Sequence, residues 1–227
     1  MKKYAVIVAG GAGTRMGSDL PKQFLQLRDK PILFHTLEVF LSYPEPIGIV
    51  LVLPEKEIPQ FTSLQKEYSF KDDSLTVVKG GASRYESVSK GVLSIKDNDA
   101  YVAIHDGVRP FVTHQIIEQG FKEANLKGNA IPVVALKDSI RKVEGNENKA
   151  VDRSLFYLVQ TPQFFQLSTI VSGYGKKNSN AFTDDASVAE YLGQKIHLFE
   201  GDYRNIKITS PEDLVIAEAL LAQQSTS

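Results

Sequence analysis

Hydrophobic positions along the chain fall into short continuous runs separated by longer periodic ones. Tyr4–Ala9 is an unbroken apolar run that stops at Gly10-Gly11, which predicts a buried strand. Ile47–Leu53, Leu75–Val78, Tyr101–His105 and Ala130–Leu136 predict four more. Between them apolar residues recur at helical spacing. Pro31 suits the first position of a helix whose inner face is Ile32, Leu33, Leu37, Phe40 and Leu41. Ser83–Ile95 repeats the pattern through Val88, Val92 and Ile95, and Thr113 can cap a helix with Ile116, Ile117 and Phe121 inward. The polar stretch Arg141–Lys149 predicts a hairpin or protruding arm. After it come a strand at Phe156–Val159, helices at Gln166–Tyr174 and Asp185–Leu192, and a strand at Ile196–Glu200. The last helix has Ser210 as N-cap, Pro211 at its first position and Asp213 at its third. Leu214, Ile216, Ala217, Leu220 and Leu221 supply its apolar side.

Strands that are apolar throughout and alternate with helices indicate an α/β fold, a mostly parallel twisted sheet covered on both faces. In such sheets ligands bind beyond the carboxyl ends of the strands. That rule places Gly10–Gly17, His105–Pro110 and the segment after Val159 on one rim.

The chain has 227 residues, enough for one domain, and its 25.1 kDa implies burial of roughly 70% of the unfolded surface. Cysteine is absent, which excludes disulfides, thiol nucleophiles and thiolate metal sites. Twenty-six Lys and Arg against 27 Asp and Glu leave a charge of −1, which argues against broad binding to nucleic acid or to an anionic membrane. The apolar run after Met1-Lys2-Lys3 is too short to span a bilayer and precedes no cleavage site, so a cytoplasmic location is expected.

The segment Ala9–Leu25 (AGGAGTRMGSDLPKQFL) is the strongest chemical signal. Its glycines let successive amides point into one anion site, and Arg15 and Lys22 add cations. From Gly11 the spacing is one residue longer than the dinucleotide fingerprint, and no Walker Lys follows. A tight turn with surface basic residues is the plainer alternative. Gly80-Gly81 precedes Ser83, which is either a helix cap or part of a loop that, with Ser87, approaches a base or sugar. Asp106, at the end of the fourth strand, is either a Mg²⁺ ligand or a loop anchor, and Arg109 pairs with a phosphate or with Asp106. His105 lacks neighbours at metal-ligand spacing and reads as structural. Lys207, between apolar residues just before the last helix, faces inward or across the rim.

These segments, with GGASRYESV (80–88), HDGVRPF (105–111), VDR (151–153), QTPQ (160–163), FTDDAS (182–187) and NIKIT (205–209), carry a resemblance over almost the whole chain. It resembles the sugar-phosphate nucleotidyltransferases, and within them the 2-C-methyl-D-erythritol 4-phosphate cytidylyltransferases of non-mevalonate isoprenoid synthesis.

The resemblance implies a Rossmann-like three-layer nucleotidyltransferase fold, a single cytidylyltransferase domain over residues 1–227 with an arm at about 139–154, and homodimers formed through that arm. It implies CTP and methylerythritol 4-phosphate as substrates and Mg²⁺ as cofactor. Ala9, Gly10, Gly11, Ala12, Gly13, Thr14, Arg15 and Lys22 would wrap the triphosphate, with Arg15, Lys22 and Lys207 as the catalytic cations. Gly81, Ser87, Asp106 and Gly107 would complete the nucleotide subsite, with Asp106 in the metal site. Arg109, Ser139, Arg153, Thr161, Thr183 and Lys207 would contact the acceptor, some of them from across the dimer. Ser139 stands where relatives often carry Thr, and Gly107 where they often carry Ala; both changes keep the needed chemistry. Ribitol-5-phosphate cytidylyltransferase, a sister activity, and a nucleotide sensor without turnover are the alternatives. No fused second enzyme is expected.

Overall fold

The computed structural model describes residues 1–10, 20–70, 74–97, 99–174 and 182–224. In chain order the strands are β1 (Lys2–Val8), β2 (Gln26–Leu27), β3 (Lys30–Pro31), β4 (Gly48–Leu53), β5 (Leu75–Lys79), β6 (Ala100–Asp106), β7 (Asn129–Ala135), β8 (Ile140–Glu144), β9 (Glu147–Val151), β10 (Tyr157–Val159), β11 (Gln163–Gln166) and β12 (Leu198–Glu200). The helices are α1 (Ile32–Leu41), α2 (Ile58–Glu67), α3 (Arg84–Ser94), α4 (His114–Lys127), α5 (Leu167–Tyr174), α6 (Asp185–Tyr191) and α7 (Pro211–Gln224).

β1, β4, β5 and β6 pair in parallel as the sequence predicts; β1, β4 and β6 are largely apolar on both faces and buried between helix layers, and β5 is the partly exposed edge strand. One face carries Phe34, Phe40, Ile117 and Phe121, the other Val88, Val92, Ile170 and Val188. The mostly parallel, three-layer architecture thus follows the sequence pattern. Among the described residues no helix is long and apolar enough to cross a membrane.

Three expectations change. β11 is a strand within the sheet, antiparallel to both β6 and β7. Its pattern, Gln163-Phe164-Phe165-Gln166, is too short to stand out beside the helix that follows. β10 and β11 both run antiparallel to β7, with Val159 opposite Val133 but Phe164 opposite Ala130. Two residues are therefore bulged out at Gln160–Pro162, a segment that holds a cis Thr161-Pro162 bond. The bulge delivers Thr161 to the carboxyl end of β6. Second, Pro31 is the residue before α1 and pairs with Gln26, so the helix starts one residue later. Third, Ile216 is 50% exposed, since α7 packs only a narrow stripe of Leu214, Ala217, Leu220 and Leu221 on the body. Its cap is as expected, with the Asp213 amide donating to Ser210 Oγ at 3.4 Å.

Candidate active site

Asp106 ends β6 with its carboxylate almost fully buried, and three cations face it. Lys207 Nζ lies 3.0 Å from Oδ2, Arg109 Nε 3.4 Å from Oδ2, and Arg84 Nε 3.4 Å from Oδ1. Burial by itself raises a carboxyl pKa, but Arg84, Lys207 and Arg109 reverse it and hold Asp106 far below the ordinary carboxylate range. The site is therefore a fixed anion inside a cationic collar, and the collar carries a net positive field.

Each member of the collar is positioned separately. Arg109 donates from Nη1 to the Asn205 carbonyl at 2.8 Å. Asn205, wholly buried, donates from Nδ2 to the Thr161 carbonyl at 2.8 Å, and Ile208 N–H bonds to Val108 O at 2.9 Å. Those bonds pin the strand-like run that carries Lys207 against the rim. Lys22 sits in a short 3₁₀ turn, Lys22–Phe24, and lines a cleft with Gly10, Arg84, Asp106 and Lys207. Beside it Gln23 is buried, and its amide donates to Ala9 O at 3.3 Å and to Glu57. The turn is thereby tied to the end of β1. A larger groove of about 770 Å³, between α4 and β12, holds none of the collar residues. Size does not mark the chemistry here.

His105 is fully buried and both ring nitrogens are engaged. Nε2 meets the Arg109 carbonyl at 3.1 Å, so that nitrogen carries the proton, and Nδ1 accepts from the Thr161 hydroxyl at 3.0 Å. Thr161 Oγ1 in turn accepts the Asp106 amide at 3.1 Å. Burial lowers the His105 pKa to about 4. The residue is a neutral strut, as its lack of metal-ligand neighbours implied.

The nucleotide-side loop is prepared in the same way. Ser83 caps α3 by accepting the Glu86 amide at 3.1 Å. Ser87 Oγ accepts the Gly81 amide at 3.1 Å and donates to Ser83 O at 2.8 Å, so its proton is already committed. A Cβ on Gly81 would lie 2.2 Å from Glu86 Cβ, and one on Gly107 2.7 Å from Ala9 Cβ. Both glycines are required by close approach.

The expected site residues divide into groups. Ala9, Gly10, Lys22, Asp106, Gly107, Arg109, Thr161 and Lys207 converge at the carboxyl ends of β1 and β6. Gly81 and Ser87 lie at the start of α3, next to Arg84, and Thr183 is exposed at the entry to α6. Ser139 and Arg153 are exposed on the arm, where the Arg153 guanidinium bonds to the Lys137 carbonyl. Gly11, Ala12, Gly13, Thr14 and Arg15 lie outside the described residues.

Arg84 is the collar member that sequence reasoning missed. Its guanidinium makes paired 2.7 Å bonds to Asp185, which also accepts from the Tyr174 hydroxyl. Burial lowers its pKa, but the Asp185 and Asp106 carboxylates hold it well above its ordinary value. Nothing local in the sequence marks a charge pair 101 residues apart.

With this geometry in hand, comparisons place the chain. The family model for IspD, 2-C-methyl-D-erythritol 4-phosphate cytidylyltransferase, matches residues 4–223. The protein of that name from Azobacteroides pseudotrichonymphae is 47% identical over 223 residues, covering 97% of this chain and 99% of its own. The one from Bacteroides thetaiotaomicron is 44% identical over 221 residues, with 97% and 100% coverage. Among solved structures, 4-diphosphocytidyl-2C-methyl-D-erythritol synthase from Anaerococcus prevotii superposes with a TM-score of 0.83 at 26% identity, covering 97% of this chain and 96% of that one. By the family match over residues 4–223 and by relatives 44–47% identical over nearly its full length, the chain belongs to the 2-C-methyl-D-erythritol 4-phosphate cytidylyltransferase family.

Proposed function

We propose that the chain does what its family's name describes: it transfers a cytidylyl group from CTP to 2-C-methyl-D-erythritol 4-phosphate and releases pyrophosphate. The observation that carries this reading is the collar of Arg84, Arg109 and Lys207 around Asp106, in one cleft with Lys22. Such a site stabilises phosphate charge and offers no general base, since both nitrogens of His105 are committed. None is needed. The acceptor's phosphate oxygen is already anionic near neutral pH and attacks the α-phosphorus in line with the departing pyrophosphate. Lys22 and Lys207 flank the α-phosphate and hold the charge that develops on its equatorial oxygens. Lys207, with its side chain 39% exposed, is placed to turn from Asp106 toward a phosphate. Arg15 joins them from the Gly-rich segment.

Among the described residues no group of three or more metal-ligating side chains gathers, so there is no all-protein cage for a cation. A single carboxylate fits Mg²⁺ in one mode, as an ion held mainly by substrate phosphates with one protein ligand. Asp106 is the ligand in this reading, and Mg²⁺ when bound neutralises charge on the triphosphate. In this reading Arg109 and Thr161 contact the acceptor from the body and Thr183 from the entry to α6.

Ser139 and Arg153 complete the acceptor subsite of a partner protomer in a homodimer joined by the arm. The support is the run of exposed apolar residues there, including Leu155 at 75% and Phe156 at 44%. Residues 1–227 act as one catalytic domain, working in the cytoplasm.

The test is pyrophosphate release from CTP and Mg²⁺ by purified protein, with methylerythritol 4-phosphate and ribitol 5-phosphate as parallel acceptors. Strong release with the first alone is expected. Preference for ribitol 5-phosphate would overturn the acceptor assignment, and stoichiometric nucleotide binding without release would overturn catalysis.

A further inference from the structure

The two substrate sides of the cleft are joined through consecutive residues of one helix. Arg84 and Tyr85 open α3, the helix that carries the nucleotide-side loop. Arg84 grips Asp185 with Nη1 on Oδ1 and Nη2 on Oδ2, each at 2.7 Å. Tyr85 stacks its ring on Phe182 with centroids 5.6 Å apart and planes 19° apart. Its hydroxyl donates to the Tyr174 carbonyl at 3.1 Å. Thr183, exposed, stands between Phe182 and Asp185. The segment around Thr183 is thus held on both sides by neighbouring residues of α3.

A third tie closes a ring. Gln163, on β11, accepts the Ala186 amide at 2.8 Å and donates to Asp184 Oδ2 at 3.0 Å. Two residues before Gln163, Thr161 accepts the Asp106 amide, and Arg84 Nε reaches the Asp106 carboxylate at 3.4 Å. The circuit therefore runs from Asp106 through Arg84 to Asp185, from its chain neighbours Asp184 and Ala186 to Gln163, and along the chain through Thr161 back to Asp106. A two-pronged guanidinium–carboxylate pair with its carboxylate buried and its guanidinium partly exposed adds little net stability but fixes geometry tightly. A stacked aromatic pair fixes a second point.

We propose that Arg84 and Tyr85 are positioning residues for the acceptor. Although they belong to the nucleotide-side helix, they fix Phe182 and Asp185 and so set where the Thr183 hydroxyl meets the acceptor. This rests on the proposed function and on the acceptor role of Thr183 within it. A structural role alone would lower stability and impair both substrates together; a positioning role impairs one.

The experiment is a pair of readouts on the full chain: KM for each substrate from pyrophosphate release, and acceptor affinity by calorimetry with α,β-methylene CTP bound. Tyr85→Leu and Asp185→Asn are expected to raise acceptor KM and Kd roughly tenfold, with CTP KM changed by less than about twofold, because a shift of a fraction of an ångström in one hydroxyl costs less than the about 10²-fold of a full 1 Å misplacement. Tyr85→Phe keeps the ring and is expected to restore acceptor binding to near wild type. Tyr85→Leu carries the test if Asp185→Asn fails to fold, and Phe182→Leu, which removes the other ring of the stack, is the second variant. Unchanged acceptor KM and Kd in folded Tyr85→Leu and Phe182→Leu, or an equal rise in CTP KM, would overturn the inference. Wild-type protein is assayed first. If it turns over and the variants match it, only this inference fails, whereas an inactive wild type overturns the function on which it rests.

Discussion

The rim around Asp106 and the arm at Ile140–Val151 are built on opposite principles. At the rim the central charged and titratable groups are held from more than one side: Asp106 by three cations and its own amide, His105 by both nitrogens, Arg84 by two carboxylates. The arm is a two-stranded ladder that pairs only with itself, and its residues are almost all exposed. Just beyond it, Leu155, Phe156, Tyr157, Leu158 and Val159 present a row of apolar side chains to solvent. A two-stranded ribbon without a packed face is marginal alone. The comparison teaches that the described charges of the rim are fixed within one chain. In the proposed reading the acceptor half that includes Ser139 and Arg153 lies instead on a feature whose exposed apolar row suits a second copy.

Breaking the rim gives the largest effects. Lys22→Ala or Lys207→Ala is expected to lower kcat about 10²–10³-fold, the loss seen when one charge-stabilising donor is removed. Near-unchanged turnover in either folded variant would remove that residue from the catalytic set.

Breaking the arm comes next. Placing a charge in the apolar row, as in Leu155→Asp with Phe156→Asp, is expected to shift the protein to monomer in sedimentation and to raise acceptor KM more than CTP KM. Removal of one contact is milder: Arg153→Ala should raise acceptor KM by roughly tenfold, the worth of one charged hydrogen bond. A rise confined to CTP KM would contradict the division into two subsites.

The smallest effect concerns pH and stability. His105 is lowered to about 4 in the fold from an ordinary value of 6.5, so the unfolded chain binds the extra proton between those values. Its contribution is fully present above 6.5 and declines as pH falls toward 4, by about 1.4 kcal/mol per pH unit. Asp106, held low by its three cations, acts in the same direction at more acidic pH. Denaturant titrations between pH 7 and 5 should show the loss, and His105→Gln should flatten it.

Much of this was legible in the sequence because the centre of the sheet is buried on both faces. A strand covered on both faces is apolar at every position, so β1, β4 and β6 stand out. β11 did not, since four residues in a bulged continuation carry no period of their own. α2 does not stand out because Ile58, Phe61 and Leu64 are diluted by polar residues and only Phe61 is buried. Ile216 fits the helical period yet faces solvent, because period gives a face and says nothing of how wide the contact is. Asp106, Lys22 and Lys207 were readable as charges beside strand ends. Arg84, Asp185 and Asn205 were not, because their roles arise from contacts between distant elements.

The claim that two protomers build one acceptor site is tested most directly by mixing two variants and assaying them at acceptor concentrations well below KM, where each alone is impaired. Lys22→Ala has an intact arm and Arg153→Ala an intact rim, so a heterodimer holds one site with both. Random reassortment of the two variants is expected to restore about a quarter of the wild-type rate, since half the dimers are mixed and each has one complete site. No recovery in a mixture whose heterodimers are verified would contradict the account, and would place Arg153 within the site of its own chain.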